Sequence, residues 1–302
     1  MAPDVEAELE LTTHYDLRSS FVMQRTGRND PTARLEPTRF AKASRTPLGM
    51  VAIELIHNVA DARMHVRAWG DGAAWAMERV PAWLGEGDGY QQFAPTGVVE
   101  TWAAKHRGLR LPRSPFPTDL HISLVLQQRV TFSEAVGAHH RLAEQYGERA
   151  PGPLGLLVFP DHDALRRIPS YDFRAMGIDS RRATALVEAA RLRARVLALE
   201  KEPFEEVRRY LGLIPGTGPW TAENLLAGAY GDPDAVPPGD VHLPHQVCFA
   251  LSGETFGSDQ RMFELLEPYR GHRNRVVRLM WLAGPTRPYI DRARVRKRWV
   301  KD

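Results

Sequence analysis

The sequence predicts an α+β chain in two parts: an N-terminal antiparallel β-sheet domain with helices over residues 1–110, then an all-α domain over residues 111–302. Three observations carry this reading. Short apolar or alternating runs separated by turn residues fill the stretch from Tyr15 to about Trp69. Three prolines, Pro112, Pro115 and Pro117, fall close together, and each refuses interior helix geometry and restricts the residue before it. Beyond them apolar residues recur at helical spacing. A length of 302 residues with 43% hydrophobic positions fits two cores, since single cores stop growing near about 250–300 residues.

Taken in order, Phe21-Val22-Met23, residues 50–56 and residues 64–67 read as strands. The turns between them lie at Gly27-Arg28-Asn29-Asp30-Pro31, Pro47-Leu48-Gly49 and Asn58-Val59-Ala60-Asp61. Residues 72–84 read as helix, with Trp75 and Arg79 four apart and Pro81 disturbing its end. The proline-rich stretch 109–117 reads as the linker. After it, Ile122, Val125, Leu126 and Val130 share one helical face, as do Ala183, Leu186, Val187 and Ala190, while Met262, Leu265 and Leu266 read as core. Helix starts are expected at Asp161, at Asp179-Ser180, at Pro203 in a first turn and at Ser258. No period of about 20–50 residues recurs, which argues against a solenoid.

Composition excludes several classes. The single cysteine, Cys248, leaves no intramolecular disulfide framework, Cys-rich zinc site or four-Cys iron–sulfur cluster within this chain, and it fits a reducing compartment. The N-terminal residues carry acids without an apolar core segment, and no run reaches the ~18 apolar residues of a membrane span, so a cytoplasmic protein without membrane contact is expected. Forty Lys and Arg against 37 Asp and Glu give a net charge of +3, compatible with a polyanion partner. His139-His140 lacks Cys or acidic neighbours at ligand spacing and reads as helix surface, so no metal is expected. The basic tail with Arg292, Arg294, Arg296, Lys297, Arg298 and Lys301 would add nonspecific phosphate contacts in a DNA-binding protein.

Residues 214–222, Ile-Pro-Gly-Thr-Gly-Pro-Trp-Thr-Ala, lie between two helical patterns, 204–211 and 219–229. The glycines permit backbone that a side chain would obstruct, and Pro219 suits a first helical turn. Free N–H groups at such a positive helix end can hold a phosphate oxygen; the same pattern also makes a plain connector between packed helices. Downstream comes Val236-Pro237-Pro238-Gly239-Asp240-Val241-His242. The combination of a Pro-Gly-x-Gly hairpin, Thr-Ala, then Val-Pro-x-x-Asp-x-His resembles the helix-hairpin-helix DNA glycosylase superfamily. Leu126-Gln127-Gln128-Arg129-Val130-Thr131 looks like the Gln-Gln-x-x-Ser stretch on an early helix of that fold. Pro268-Tyr269-Arg270 with His272-Arg273 and Trp281 looks like its closing helix. The matching segments run from about residue 109 to residue 283. Within the superfamily they most resemble the 3-methyladenine DNA glycosylase II group, whose members carry an N-terminal antiparallel sheet domain.

The resemblance implies a role for each residue. Asp240, read alone a turn residue or helix N-cap, becomes the catalytic carboxylate. Glycosidic cleavage develops positive charge on the sugar, and an anion placed there stabilises the transition state more than the ground state. The same group can position or deprotonate the attacking water. Trp220 stands where strand-cutting members carry a lysine that forms a Schiff base, so a monofunctional glycosylase is expected. Trp220, Asn224 and Trp281 are expected at the base pocket, either indole being equally at home between packed helices. A free Trp220 ring could stack on a cationic alkylated purine. Asn224 departs from the aromatic residue common in the group. Gln128 and Arg129 fall in the wedge region, with Arg129 in place of an apolar plug; both could instead be solvated helix residues. Gly216, Thr217, Gly218 and His242 are the expected phosphate contacts. The implied activity is removal of alkylated purines such as 3-methyladenine from double-stranded DNA in base excision repair, by a monomer needing no cofactor. An oxidised-purine glycosylase and a non-catalytic DNA-binding protein are the alternatives.

Overall fold

The computed structural model describes residues 1–11 and 14–288. The basic tail from Arg292 lies outside the described residues. One five-stranded antiparallel sheet, ordered β1-β5-β4-β3-β2, is built from β1 Val5–Glu10, β2 Ala33–Leu35, β3 Arg39–Thr46, β4 Gly49–Asn58 and β5 Arg63–Trp69. Its long central strands pair Phe40 with Leu55 and Leu55 with Val66. These residues share a face with Ile53 and Met64, and pack on Phe21, Trp83 and Phe116. The opposite face carries Ala43, Ala52 and Trp69 against Leu156 and Val158. Glu54 on this face is fully buried and accepts from Arg39 and, at 2.5 Å, from Arg67.

Several expectations change. Phe21-Val22-Met23 is not a strand: Leu17–Phe21 is a helix and Val22–Gln24 a single 3₁₀ turn. Asp16 caps the helix by accepting from the Ser19 N–H at 2.9 Å. Residues 72–84 form two short helices, Ala73–Met77 and Val80–Trp83, with Pro81 in the first turn of the second. The Arg79 guanidinium lies 3.9 Å from the centroid of the Trp75 ring. The proline-rich stretch is not a free linker: Leu111, Ser114 and Phe116 are buried. Its amides are fixed, Leu111 N–H on Asp88 Oδ2 at 3.0 Å and Ser114 N–H on the Ala229 carbonyl at 2.7 Å. From Pro117 onward the described chain is helical apart from one two-stranded pair, Glu148–Arg149 with Leu157–Val158. The expected caps at Asp161, Asp179 and Ser258 are present, whereas Pro203 stands at the cap position, just before helix Phe204–Leu211.

The cores interlock across residue 110. Helix Val98–Lys105 packs through Val99 and Trp102 on Val276 and Met280 of helix Arg273–Ala283. That last helix sends two buried arginines the other way. Arg275 pairs with Asp88 at 3.1 Å, and Arg278 donates to the Ser19 and Ser20 carbonyls at 2.7 and 3.2 Å. Burial, with Arg275 nearby, lowers the Arg278 pKa to about 10. His139 is not surface either: it is 1% exposed, its Nε2 meets Asp30 Oδ1 at 3.0 Å and its Nδ1 meets Ser123 Oγ at 3.3 Å. On β3, Lys42 pairs with Asp119 of helix Pro117–Leu126 at 3.5 Å, tying sheet to helices.

Candidate active site

A cleft of about 1510 Å³ collects three separate segments: residues 127–134, the hairpin at residues 212–221, and residues 238–242. The hairpin joins helix Phe204–Leu211 to helix Pro219–Leu225, which continues as one wide π-helical turn, Leu226–Tyr230. The apolar sides of these helices, Val207, Leu211, Leu225 and Leu226, fill one core and leave the turn between them at the surface.

The hairpin glycines differ. Gly216 has φ +83°, and a Cβ there would lie 2.5 Å from the Ala185 Cβ, so only glycine fits. Gly218 has φ −79° and ψ 176°, ordinary extended backbone, and a Cβ would meet nothing within 4 Å. Neither glycine N–H has a partner among the described residues. Thr217 is different: its N–H donates to the Ile214 carbonyl at 2.9 Å, and its buried Oγ1 meets His121 Nε2 at 2.7 Å. Thr217 therefore fastens the hairpin internally instead of offering donors to a phosphate. His121, on helix Pro117–Leu126, is buried, and desolvation lowers its pKa to about 4.

Asp240 lies against this turn. Its Oδ2 accepts from Trp220 Nε1 at 2.8 Å, and its Oδ1 accepts from the His242 and Leu243 N–H groups at 2.8 and 2.9 Å. The last two are the unpaired first donors of helix Leu243–Ser252, so Asp240 caps that helix from two residues before His242. Partial burial works to raise its pKa, but the Trp220 indole, the two backbone amides and the nearby His242 outweigh it and hold the carboxyl below its ordinary value. The carboxylate is ionised at neutral pH and fixed in direction by three donors.

The other expected residues separate into two groups. Trp220 is half-buried, packed on the hairpin core while lining the cleft, and its indole is engaged by Asp240 rather than free. Gln128 donates from Nε2 to the Gly216 carbonyl at 2.9 Å and to Thr221 Oγ1 at 3.0 Å, tying residues 127–131 to the hairpin. This stretch is a turn after helix Pro117–Leu126 and not part of it. Arg129 sits there exposed at φ +59°, a left-handed backbone uncommon for a residue with a side chain, and it lines the cleft with His242. Asn224 does not line it: its amide donates to the Trp220 carbonyl one turn back at 2.8 Å. Trp281, 56% exposed on helix Arg273–Ala283, is also not among the lining residues. Sequence reasoning missed His121, whose partner lies 96 positions away, and Phe132, 60% exposed at the cleft edge. An exposed aromatic at a helix start carries no sequence signal, because exposure depends on what packs over it.

No protein-family model matches the chain. Over 160 residues it is 31% identical to a probable bifunctional transcriptional activator/DNA repair enzyme AlkA of Mycobacterium tuberculosis, a match covering 49% of this chain and 32% of that protein. Over 178 residues it is 25% identical to DNA-3-methyladenine glycosylase 2 of Escherichia coli, covering 58% of this chain and 62% of that one. The chain thus spans about a third of the first relative and less than two thirds of the second. Its fold is similar to that of a 3-methyladenine DNA-glycosylase from Archaeoglobus fulgidus, with a TM-score of 0.73 at 18% identity over 91% of this chain and 97% of that chain. With the hairpin, Asp240 and the sheet in place, the chain is similar in part of its sequence to DNA-3-methyladenine glycosylase 2 and in its fold to a 3-methyladenine DNA-glycosylase.

Proposed function

We propose that the chain is a monofunctional DNA N-glycosylase of base excision repair, which flips an alkylated purine such as 3-methyladenine out of double-stranded DNA and hydrolyses its N-glycosidic bond. The observation that carries the proposal is the Asp240 carboxylate, held by Trp220 and two amides at the edge of the cleft. As the bond between base and sugar breaks, positive charge grows on the sugar, and a fixed anion there lowers the barrier without reorganising. A general base works best with its pKa near the operating pH; a carboxylate pulled below its ordinary value is better suited to electrostatic stabilisation and to orienting water. Trp220 supplies no amine, so the product is an abasic site with an intact strand.

Two arguments support alkylated over oxidised purines. A cationic alkylated base leaves as a neutral molecule and needs no acid, whereas a neutral oxidised base leaves better when protonated. The two carboxyls lining the cleft, Asp240 and Glu134, are both pulled down rather than held protonated: Asp240 by Trp220 and the amides against burial, Glu134 chiefly by the Thr131 backbone. Asn224, which made the expected pocket more polar, has its amide occupied by the Trp220 carbonyl. Against a purely DNA-binding role stands Asp240 itself, since a carboxylate facing a phosphate backbone weakens binding. The test is side-by-side incubation with alkylated and oxidised duplexes. Release of the alkylated base, strand breaks only after alkali and no borohydride-trapped adduct are expected. A trapped adduct would overturn the monofunctional mechanism, and preferential release of the oxidised base would overturn the substrate class.

A further inference from the structure

A second cavity, of about 1210 Å³, shares no lining residue with the cleft. It lies where the loop at residues 25–31 and β2 meet the pair Glu148–Arg149/Leu157–Val158 and the end of helix Phe132–Tyr146. Five arginines line it: Arg18, Arg25, Arg28, Arg34 and Arg149. None of the five is ion-paired among the described residues. By contrast, Arg182, Arg191, Arg209 and Arg270 each hold a carboxylate three residues away. Of the cavity's acids, Asp30 is turned inward, its oxygens accepting from Thr26, Thr32 and His139. Glu36 and Glu144 remain, two carboxylates against five guanidinium groups. Arg25 feels this crowding: partial burial first, then the Arg18 charge, lower its pKa, with Asp30 opposing them.

The arginines stand on a built frame. The Arg25 side chain donates to the Arg28 carbonyl at 3.3 Å, and the Thr26 N–H donates to Asp30 at 2.6 Å. Gly27, at φ +78°, is pressed so close to Val136 that a Cβ would lie 2.9 Å from its Cγ1. An uncompensated cluster of planar guanidinium forks on ordered backbone matches the oxygens of phosphate groups. We propose that this cavity is a binding site for a ligand carrying two or more phosphate groups, separate from the Asp240 cleft. Two sources fit that chemistry: a free phosphorylated molecule, or the backbone of a duplex whose damaged base occupies the cleft. The second is within reach, because helix Phe132–Tyr146 has Glu134 in the cleft and Glu144 in the cavity, about 15 Å apart at 1.5 Å per residue.

The test uses inorganic triphosphate and the full chain in calorimetry. Saturable binding is expected, weakened at least about tenfold by Arg28→Gln with Arg34→Gln and less by the corresponding lysine pair, which keeps charge but loses the fork. Both side chains are exposed, so the fold should persist, checked by circular dichroism. Equal triphosphate binding by the parent and the glutamine variant, or no binding by the parent, overturns the proposal. If the source is duplex backbone, the same variant also binds undamaged duplex more weakly, with a salt slope lower by about two. If it is a free phosphorylated molecule, duplex binding is unchanged while triphosphate binding is still lost. Neither arm reads base release, so the outcome is independent of the glycosylase assignment.

Discussion

At Asp240, three N–H donors converge on one carboxylate, and the indole that supplies one of them also lines the cleft. Trp220 thus sets the charge and direction of the anion as well as bounding the space for a base. Replacing it by Phe keeps an aromatic ring but removes the Nε1 donor. Hydrogen bonds to charged groups contribute roughly 1.5–3 kcal/mol, so Trp220→Phe should raise the Asp240 pKa and shift the acid limb of the base-release profile to higher pH. A carboxylate with a depressed pKa keeps its charge until the pH falls through that lower value, which fixes the direction of the shift. An unmoved acid limb would show that the indole does not control the carboxylate. The motif around Asp240 was legible in the sequence because hairpin and carboxylate lie in two contiguous stretches. The Trp220–Asp240 bond was not, nor was the turn of Asn224 back onto the Trp220 carbonyl, since both depend on side-chain direction.

The hairpin element separates fold from function in two glycines. Gly216→Ala forces a Cβ onto Ala185 at a left-handed backbone position and should cost about 2 kcal/mol or more of stability. Gly218→Val meets open space at an extended φ, so unfolding should be nearly unchanged. The added side chain would instead stand where a phosphate must approach, and affinity for damaged and undamaged duplex should fall by similar factors. Denaturant unfolding and duplex titration of both variants check this. Parent-like duplex binding by a folded Gly218→Val would make the turn a packing element. The helices on either side were readable from apolar spacing and the proline start. The sheet was only half readable. The Val-Glu-Ala-Glu-Leu-Glu alternation of β1 has the period of a half-buried strand, yet no strand was expected before Tyr15. The run Phe21-Val22-Met23 is too short for periodicity to distinguish strand from helix end.

Across the whole molecule, buried polar contacts join parts far apart in sequence: Asp30 to His139, Lys42 to Asp119, and Asp88 to Arg275. None of these pairs was legible, because composition gives no partner for a charge more than a few residues away. Burial alone would raise the Asp30 pKa, but the facing His139, Lys42 and the Thr26 amide hold it well below the carboxylate range. Its stabilisation is therefore fully present above the unfolded value of about 3.9 and lost as the pH falls below it. Asp30→Ala leaves His139 facing a void and should cost about 3–5 kcal/mol at neutral pH. The gap between parent and variant in urea unfolding should narrow once the pH drops below about 4. A gap constant with pH would mean that Asp30 acts there only as a shape.

The measurement closest to the central claim is single-turnover base release from alkylated duplex by Asp240→Asn. The amide keeps the shape and can still accept from the His242 and Leu243 N–H groups, while its NH₂ replaces the oxygen that faces Trp220. Folding and duplex binding should persist, and base release should fall by at least about 10², the scale of losing one preorganised electrostatic partner in the transition state. A folded variant that binds duplex and releases base at near-parent rates would contradict the assignment of catalysis to Asp240.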